Sequence, residues 1–122
     1  MPVVLQRPGP TRRRFDYADT LAMHCQALKL PAPVREYVAI PGRRFRLDLA
    51  WPDRWLFAEV DGGEFMAGRH NRAAGMRSDC EKQNLLTLAG WRGFRFVGVQ
   101  VRTGAAIEVL ELCNHVPAHL LR

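Results

Sequence analysis

Three carboxylates, Asp48, Glu59 and Asp61, alternate with hydrophobic residues in the central stretch FRLDLAWPDRWLFAEVDGG, residues 45–63. Carboxylates that are brought close together repel one another and lose solvation unless a cation lies between them. Oxygen ligands of this kind suit a hard divalent ion. The residue types therefore predict a site for Mg²⁺, with Mn²⁺ as the second choice.

A β-hairpin is the element that would bring these carboxylates together. Period-two alternation on either side of a Pro-Asp turn at residues 51–54 predicts two half-buried strands. Alternate side chains on a strand share a face, so Glu59 and Asp61 should point the same way, with Asp48 opposite them in the right register. The alternatives are ordinary exposed acids on the polar face of a strand and, for Asp61, a turn residue before two glycines.

The remaining elements follow from hydrophobic spacing and from Gly and Pro breakers. Asp16 or Asp19 would cap the first helix and Thr103 the last, and Ser78 or Asp79 would lie in the first turn of the middle helix. The predicted segments around the hairpin are a helix from 15 or 19 to 30, a strand at 34–40, a loop at 64–75, a helix at about 76–89, a strand at 93–99 and a helix at 105–113. The fold class is therefore α/β, in the order α-β-β-β-α-β-α, with a mixed sheet flanked by helices and its last strand parallel to the one before.

The chain of 122 residues has the length of one domain and a composition typical of a globular protein. Residues 1–14, with three prolines and Arg12, Arg13 and Arg14, are expected to form a flexible basic arm that contacts phosphate or is merely solvated, and residues 15–122 a single domain. The net charge of +6 favours an anionic partner, although a domain can be basic without one.

The compartment is predicted from what the sequence lacks. No apolar run is long enough to span a membrane, and no signal peptide is evident at the N-terminus. The three cysteines, Cys25, Cys80 and Cys113, form no zinc or CxxC spacing and fit buried, inert thiols of a reducing compartment. We therefore expect a cytoplasmic protein with no membrane association.

Three motifs in order resemble a known family: the D-x10-E-x-D-G hairpin, GRH in the loop at 68–70, and D-x-E-K-x-N at 79–84 in the helix that follows. The segment from about residue 28 to 112 is similar to small phage and bacterial endonucleases of the PD-(D/E)XK superfamily, and more narrowly to their very-short-patch-repair (Vsr-like, EDxHD) branch. The resemblance implies a restriction-endonuclease-like fold and Mg²⁺-dependent hydrolysis of DNA phosphodiesters. It also implies a role in DNA repair or recombination, in a bacterial cytoplasm or that of a phage host.

The resemblance also implies roles for single residues. Asp48 and Glu59 resemble the metal-ligand pair, His70 the histidine of the branch, Asp79 the acid after it, and Asp61 a further acid beside the site. The superfamily lysine expected two residues after Glu59 is here Asp61, so Lys82 or His70 would replace it. The glutamate that the branch carries in its first helix has Asp16 and Asp19 as its nearest candidates.

Several of these residues also have simpler explanations. His70 could transfer a proton, since histidine titrates near neutrality, or do nothing chemical. Arg69 and Arg72 could hold the DNA backbone or be solvated charges. Asp79 and Lys82 share a helix face and could simply pair with each other. Trp51, Trp55 and Trp91 could stack on bases, although Trp55 and Trp91 are expected to fill the core.

Two rival functions remain at this point. One is a DNA-binding or accessory module that keeps the fold without cleavage, which the missing lysine favours. The other is a small-molecule hydrolase, against which the basic charge argues. DNA is the expected partner, and the sequence leaves open the DNA substrate and whether the protein is a monomer or a homodimer.

Overall fold

The structure is a computed structural model, and it describes residues 16–61 and 72–115. The predicted arm at 1–14 lies outside the described residues. Within them the helices and strands are α1 (Tyr17–Ala27), β1 (Val34–Tyr37), β2 (Leu47–Trp51), a 3-10 helix (Pro52–Arg54), β3 (Leu56–Asp61), α2 (Arg72–Leu88), β4 (Arg92–Val97), α3 (Gly98–Arg102) and α4 (Ala105–His115).

The four strands form one mixed sheet in the order β1-β2-β3-β4. β1 pairs with β2, and β2 with β3, in antiparallel fashion, whereas β3 and β4 are parallel. This confirms the predicted α/β class, the mixed sheet and the parallel last strand. The parallel pair requires a long connection, which contains α2.

The predicted hairpin is formed by β2 and β3. Leu49 pairs with Ala58, and Trp51 with Leu56, across the sheet. Pro52 opens the short 3-10 helix between the strands, because its fixed φ suits the first position of a helix. Trp55 closes the turn in the left-handed region, with φ of 52°.

Helices cover both faces of the sheet. On one face α1, α3 and α4 enclose a core that includes Leu21, Leu49 and Val101, all fully buried. On the other face Leu86 of α2 packs with Phe57 and the ring of Trp91. Burying each of these large apolar side chains stabilises the fold by about 1.5–3 kcal/mol, so both layers contribute to holding the hairpin in place.

The predicted strand at 93–99 is too long, and the predicted element order lacks a helix. β4 ends at Val97, and α3 begins at Gly98, because the side-chain oxygen of Gln100 accepts a hydrogen bond from the Val97 amide at 2.9 Å. Thr103 does not cap the last helix as predicted. It ends α3, donating its amide to the carbonyl of Val99 at 3.0 Å, and Gly104 then turns the chain into α4.

Other boundaries also differ from the predictions. α2 begins at Arg72 instead of about residue 76, so Asp79 lies in its middle and the predicted loop is shorter at its end. The sequence of this first turn includes two alanines, the residue type with the highest helix propensity. β1 ends at Tyr37 instead of residue 40, and Glu36 within it has a φ of 54°, which departs from extended backbone. α1 is capped by Asp16, one of the two predicted caps, and ends at Ala27 before either proline.

The prediction of buried, inert cysteines holds for one residue and fails for another. Cys25 is fully buried, and this burial raises the pKa of its thiol to about 11. Cys80, by contrast, is exposed, because it lies on the solvent side of α2.

Among the described residues, no helix has both the length and the apolar character needed to cross a membrane.

Candidate functional site

Asp48 and Glu59 lie opposite each other on β2 and β3. The observed pairing of Leu49 with Ala58, extended by one residue, gives this register. Both acids are partly buried, and Asp48 Oδ2 accepts a hydrogen bond from the amide of Val60 at 2.9 Å. The hairpin therefore holds the Asp48 carboxylate against β3 and brings the predicted acid pair together.

Lys82 reaches this acid pair from α2. Its ammonium lies 2.6 Å from Glu59 Oε1, and both side chains are largely buried, with 17% and 16% of their surfaces exposed. The same ammonium donates to the carbonyl of Arg46 at 3.0 Å and lies 5.6 Å from the centre of the Phe45 ring. Lys82 is thus fixed between the helix, the hairpin and the segment before β2.

The environment of Glu59 raises the pKa of its carboxyl group. Burial is the largest cause, because it penalises the charged form, and the negative charge of Asp48 adds to it. The hydrogen bond and the charge of Lys82 act in the opposite direction, as does the more distant charge of Arg95. A further cation beside Asp48 and Glu59 would therefore favour the ionised form of Glu59.

Asp61 and Asp79 are both bound by Arg95. The Arg95 guanidinium donates to Asp61 at 2.8 and 3.3 Å, and to Asp79 of α2 at 3.3 Å. The hydrogen bond to Asp61 is the main reason that the pKa of Arg95 is raised. Asp61 lies on the same side of the sheet as Glu59, as the alternation predicted, and Asp79 approaches that side from α2. The suggested pairing of Asp79 with Lys82 is not what the structure shows, since these residues bind Arg95 and Glu59 instead.

Arg35 of β1 connects the first helix to the acid pair. Its Nε donates to the main-chain carbonyl of Asp48 at 2.9 Å, and its Nη1 lies 2.6 Å from Asp19 Oδ1. Asp16 lies 3.5 Å from its Nη2. The two candidates for the first-helix acid therefore bind Arg35, which in turn binds the backbone of Asp48.

Sequence reasoning missed both Arg35 and Arg95 as parts of this site. The available signal was an arginine within a short strand segment, at VREY and at RGFRFV. A strand that is covered on one or both faces rarely carries an arginine unless the guanidinium has partners.

The acidic side chains of this region outnumber its cationic side chains. Four carboxylates, Asp48, Glu59, Asp61 and Asp79, accompany two cationic side chains, Lys82 and Arg95, which leaves an excess of two negative charges. One divalent cation would balance that excess. The region comprising 16–61 and 72–115 contains no group of three or more His, Cys, Asp or Glu side chains arranged to hold a metal. Mg²⁺ needs no such group, because one or two carboxylates, water and substrate phosphates complete its shell.

Other predicted site residues lie outside the described residues. These are His70, Arg69, Arg12, Arg13 and Arg14, and only the backbone of Arg72 is described, at the start of α2.

The burial of the three tryptophans differs in part from the prediction. Trp51 and Trp91 are buried, as expected for Trp91. Trp55 is 53% exposed, and its ring centre lies 5.4 Å from that of Trp91 at an interplanar angle of 64°. The expectation that Trp55 fills the core is therefore wrong.

Comparisons with known proteins give no relative. No family model matches the sequence, no curated protein matches it, and no solved structure matches the fold.

Proposed function

We propose that this chain is a metal-dependent DNA endonuclease with a restriction-endonuclease-like fold, which hydrolyses phosphodiester bonds with Mg²⁺ held by Asp48 and Glu59. Mn²⁺ would serve as a substitute ion. The proposal rests on one observation: the ammonium of Lys82 lies on the carboxylate of Glu59, which faces that of Asp48. The sequence motifs resemble those of the PD-(D/E)XK superfamily, whose site is built from these residue types.

The free oxygens of the acid pair support this role. Asp48 Oδ2 and Glu59 Oε1 are taken by the Val60 amide and by Lys82, so within the described residues the second oxygen of each carboxylate remains for an ion. When bound, Mg²⁺ orients the attacking water, lowers its pKa and offsets charge at phosphorus.

Lys82 has a double role in this proposal. Its charge acts against burial by lowering the pKa of Glu59, and it places a positive charge where a phosphate would approach the acid pair. His70 is the proposed proton-transfer group, from its place in the motif, with Lys82 as the alternative to it.

A non-cleaving DNA-binding module is the second candidate function. The same contacts favour this candidate if their only role is to stabilise the fold. Lys82 neutralises Glu59, and Arg95 occupies both Asp61 and Asp79. In that case the ion pairs would serve to attach α2 to the sheet.

A nuclease assay distinguishes the two candidates. Purified protein is incubated with supercoiled, linear and branched DNA, in Mg²⁺ and in excess chelator, and the products are separated on gels. Cleavage that occurs with Mg²⁺ and stops with chelator supports the endonuclease. DNA binding without cleavage of any substrate, in Mg²⁺ or Mn²⁺, would support the binding module instead.

A further inference from the structure

Three arginines stand in the four residues before β2, at Arg43, Arg44 and Arg46. All three are exposed. Such close spacing of like charges is unfavourable unless counter-charges are near. The contacts of each arginine therefore indicate whether its charge is balanced within the protein.

The charge of Arg43 is balanced within the protein. Its guanidinium forms an ion pair with Glu81 of α2 and lies 5.8 Å from the centre of the Phe45 ring. Arg44 and Arg46 differ, since neither side chain has an ion pair or a hydrogen bond to any residue of 16–61 or 72–115. Two arginines that are two positions apart in the sequence are thus exposed to solvent.

The backbone of Arg46 is attached to the acid pair. Its carbonyl oxygen accepts from the Lys82 ammonium, the same group that binds Glu59. Asp48 follows two residues later on β2. The exposed arginines therefore border the site, on the chain segment that leads directly into it.

We propose that Arg44 and Arg46 form a binding surface for the phosphate backbone of duplex DNA, beside the acid pair. Their planar forks match phosphate oxygens, and no carboxylate of the described residues competes for them. This surface is separate from the arginines predicted from the sequence at 12–14, 69 and 72. It deepens the proposed function and rests on it, because the surface would deliver a backbone phosphate to Asp48 and Glu59.

The test measures DNA affinity against salt concentration, without cleavage. Binding of a short fluorescein-labelled duplex is followed by fluorescence anisotropy in the presence of chelator. The double variant Arg44→Gln/Arg46→Gln is compared with wild type. Each lost phosphate contact should reduce the log–log salt slope by roughly 0.9, so the double variant should lose about 1.8.

Arg102→Gln is the matched control. Arg102 is an exposed arginine on α3, whose Val101 packs into the core on the opposite side of the sheet from α2. The control removes one positive charge from the protein without changing the proposed surface. Its salt slope should equal that of wild type.

The outcomes separate this inference from the proposed function. A double variant with the wild-type slope would overturn the DNA-binding surface, even if the protein cleaves DNA. A loss of slope of about 0.9 in Arg102→Gln, half the loss expected of the double variant, would also overturn it, since the number of charges removed would then explain the effect. A reduced slope confined to the double variant, in a protein that never cleaves DNA with Mg²⁺, would uphold the surface and contradict the endonuclease.

Discussion

Replacing Lys82 with methionine tests the central contact of the site. Methionine keeps much of the apolar stem but removes the charge that lies 2.6 Å from Glu59. Removing one partner of a buried ion pair costs about 3–5 kcal/mol, whereas exposed pairs contribute about 0–1 kcal/mol. With about one sixth of each side chain exposed, we expect a loss of roughly 2–3 kcal/mol at neutral pH.

The loss should depend on pH in a defined direction. Burial raises the pKa of Glu59 in the folded state. The contribution of this group to the free energy of unfolding is therefore fully present below its unfolded-state pKa, and it is lost as pH rises through its folded-state pKa. Lys82 opposes that loss, and without it the pKa of Glu59 rises further. The difference in stability between Lys82→Met and wild type should therefore be large at neutral pH and shrink in acid.

Urea denaturation over a range of pH gives the measurement. The double variant Lys82→Met/Glu59→Gln should recover much of the lost stability, because no uncompensated charge remains to be buried. Arg43→Met, which breaks the more exposed pair with Glu81, should cost less than about 1 kcal/mol. A stability loss in Lys82→Met that is the same at every pH, or that Glu59→Gln leaves unchanged, would refute the reasoning.

Two further predictions concern the proton-transfer group and the support of the acid pair. His70→Ala should lower the cleavage rate by roughly a hundredfold to ten-thousandfold, and the wild-type rate should rise with pH near neutrality. A fully active His70→Ala beside an inactive Lys82→Ala would assign the role to Lys82 instead. Arg35→Met should cost about 1.5–3 kcal/mol in urea denaturation, since it removes charged hydrogen bonds to Asp19 and to the Asp48 carbonyl. A loss below about 0.5 kcal/mol, the usual size for surface positions, would contradict that.

The hairpin and its acids were predictable from the sequence because strand alternation has a short period. Glu59 and Asp61 could be placed on one face by parity alone, whereas placing Asp48 opposite them also needed the register, which the Pro52 turn limited. Helix ends were less predictable. The Gln100 side chain accepts a hydrogen bond at the start of α3, and alanines lie in the first turn of α2. Such local preferences compete with hydrophobic spacing in deciding where a helix begins.

The partners of the acids could not be read from the sequence. Lys82 was one of two candidates, and only the packing of α2 on the sheet places its ammonium on Glu59. Arg35 and Arg95 bind carboxylates that are at least 16 residues away in sequence. Such contacts depend on the tertiary arrangement, which hydrophobic periodicity does not encode.

The most direct measurement is the Mg²⁺-dependent cleavage rate of Asp48→Asn. Asparagine can still accept the hydrogen bond from the Val60 amide, so the variant should fold while losing a charged ligand. Asp53→Asn is the matched control, since Asp53 is exposed in the turn at the other end of the hairpin. The proposed function predicts a rate about a thousandfold lower for Asp48→Asn, with unchanged cleavage by Asp53→Asn. A near-normal rate in Asp48→Asn, at a melting temperature equal to that of wild type, would contradict it.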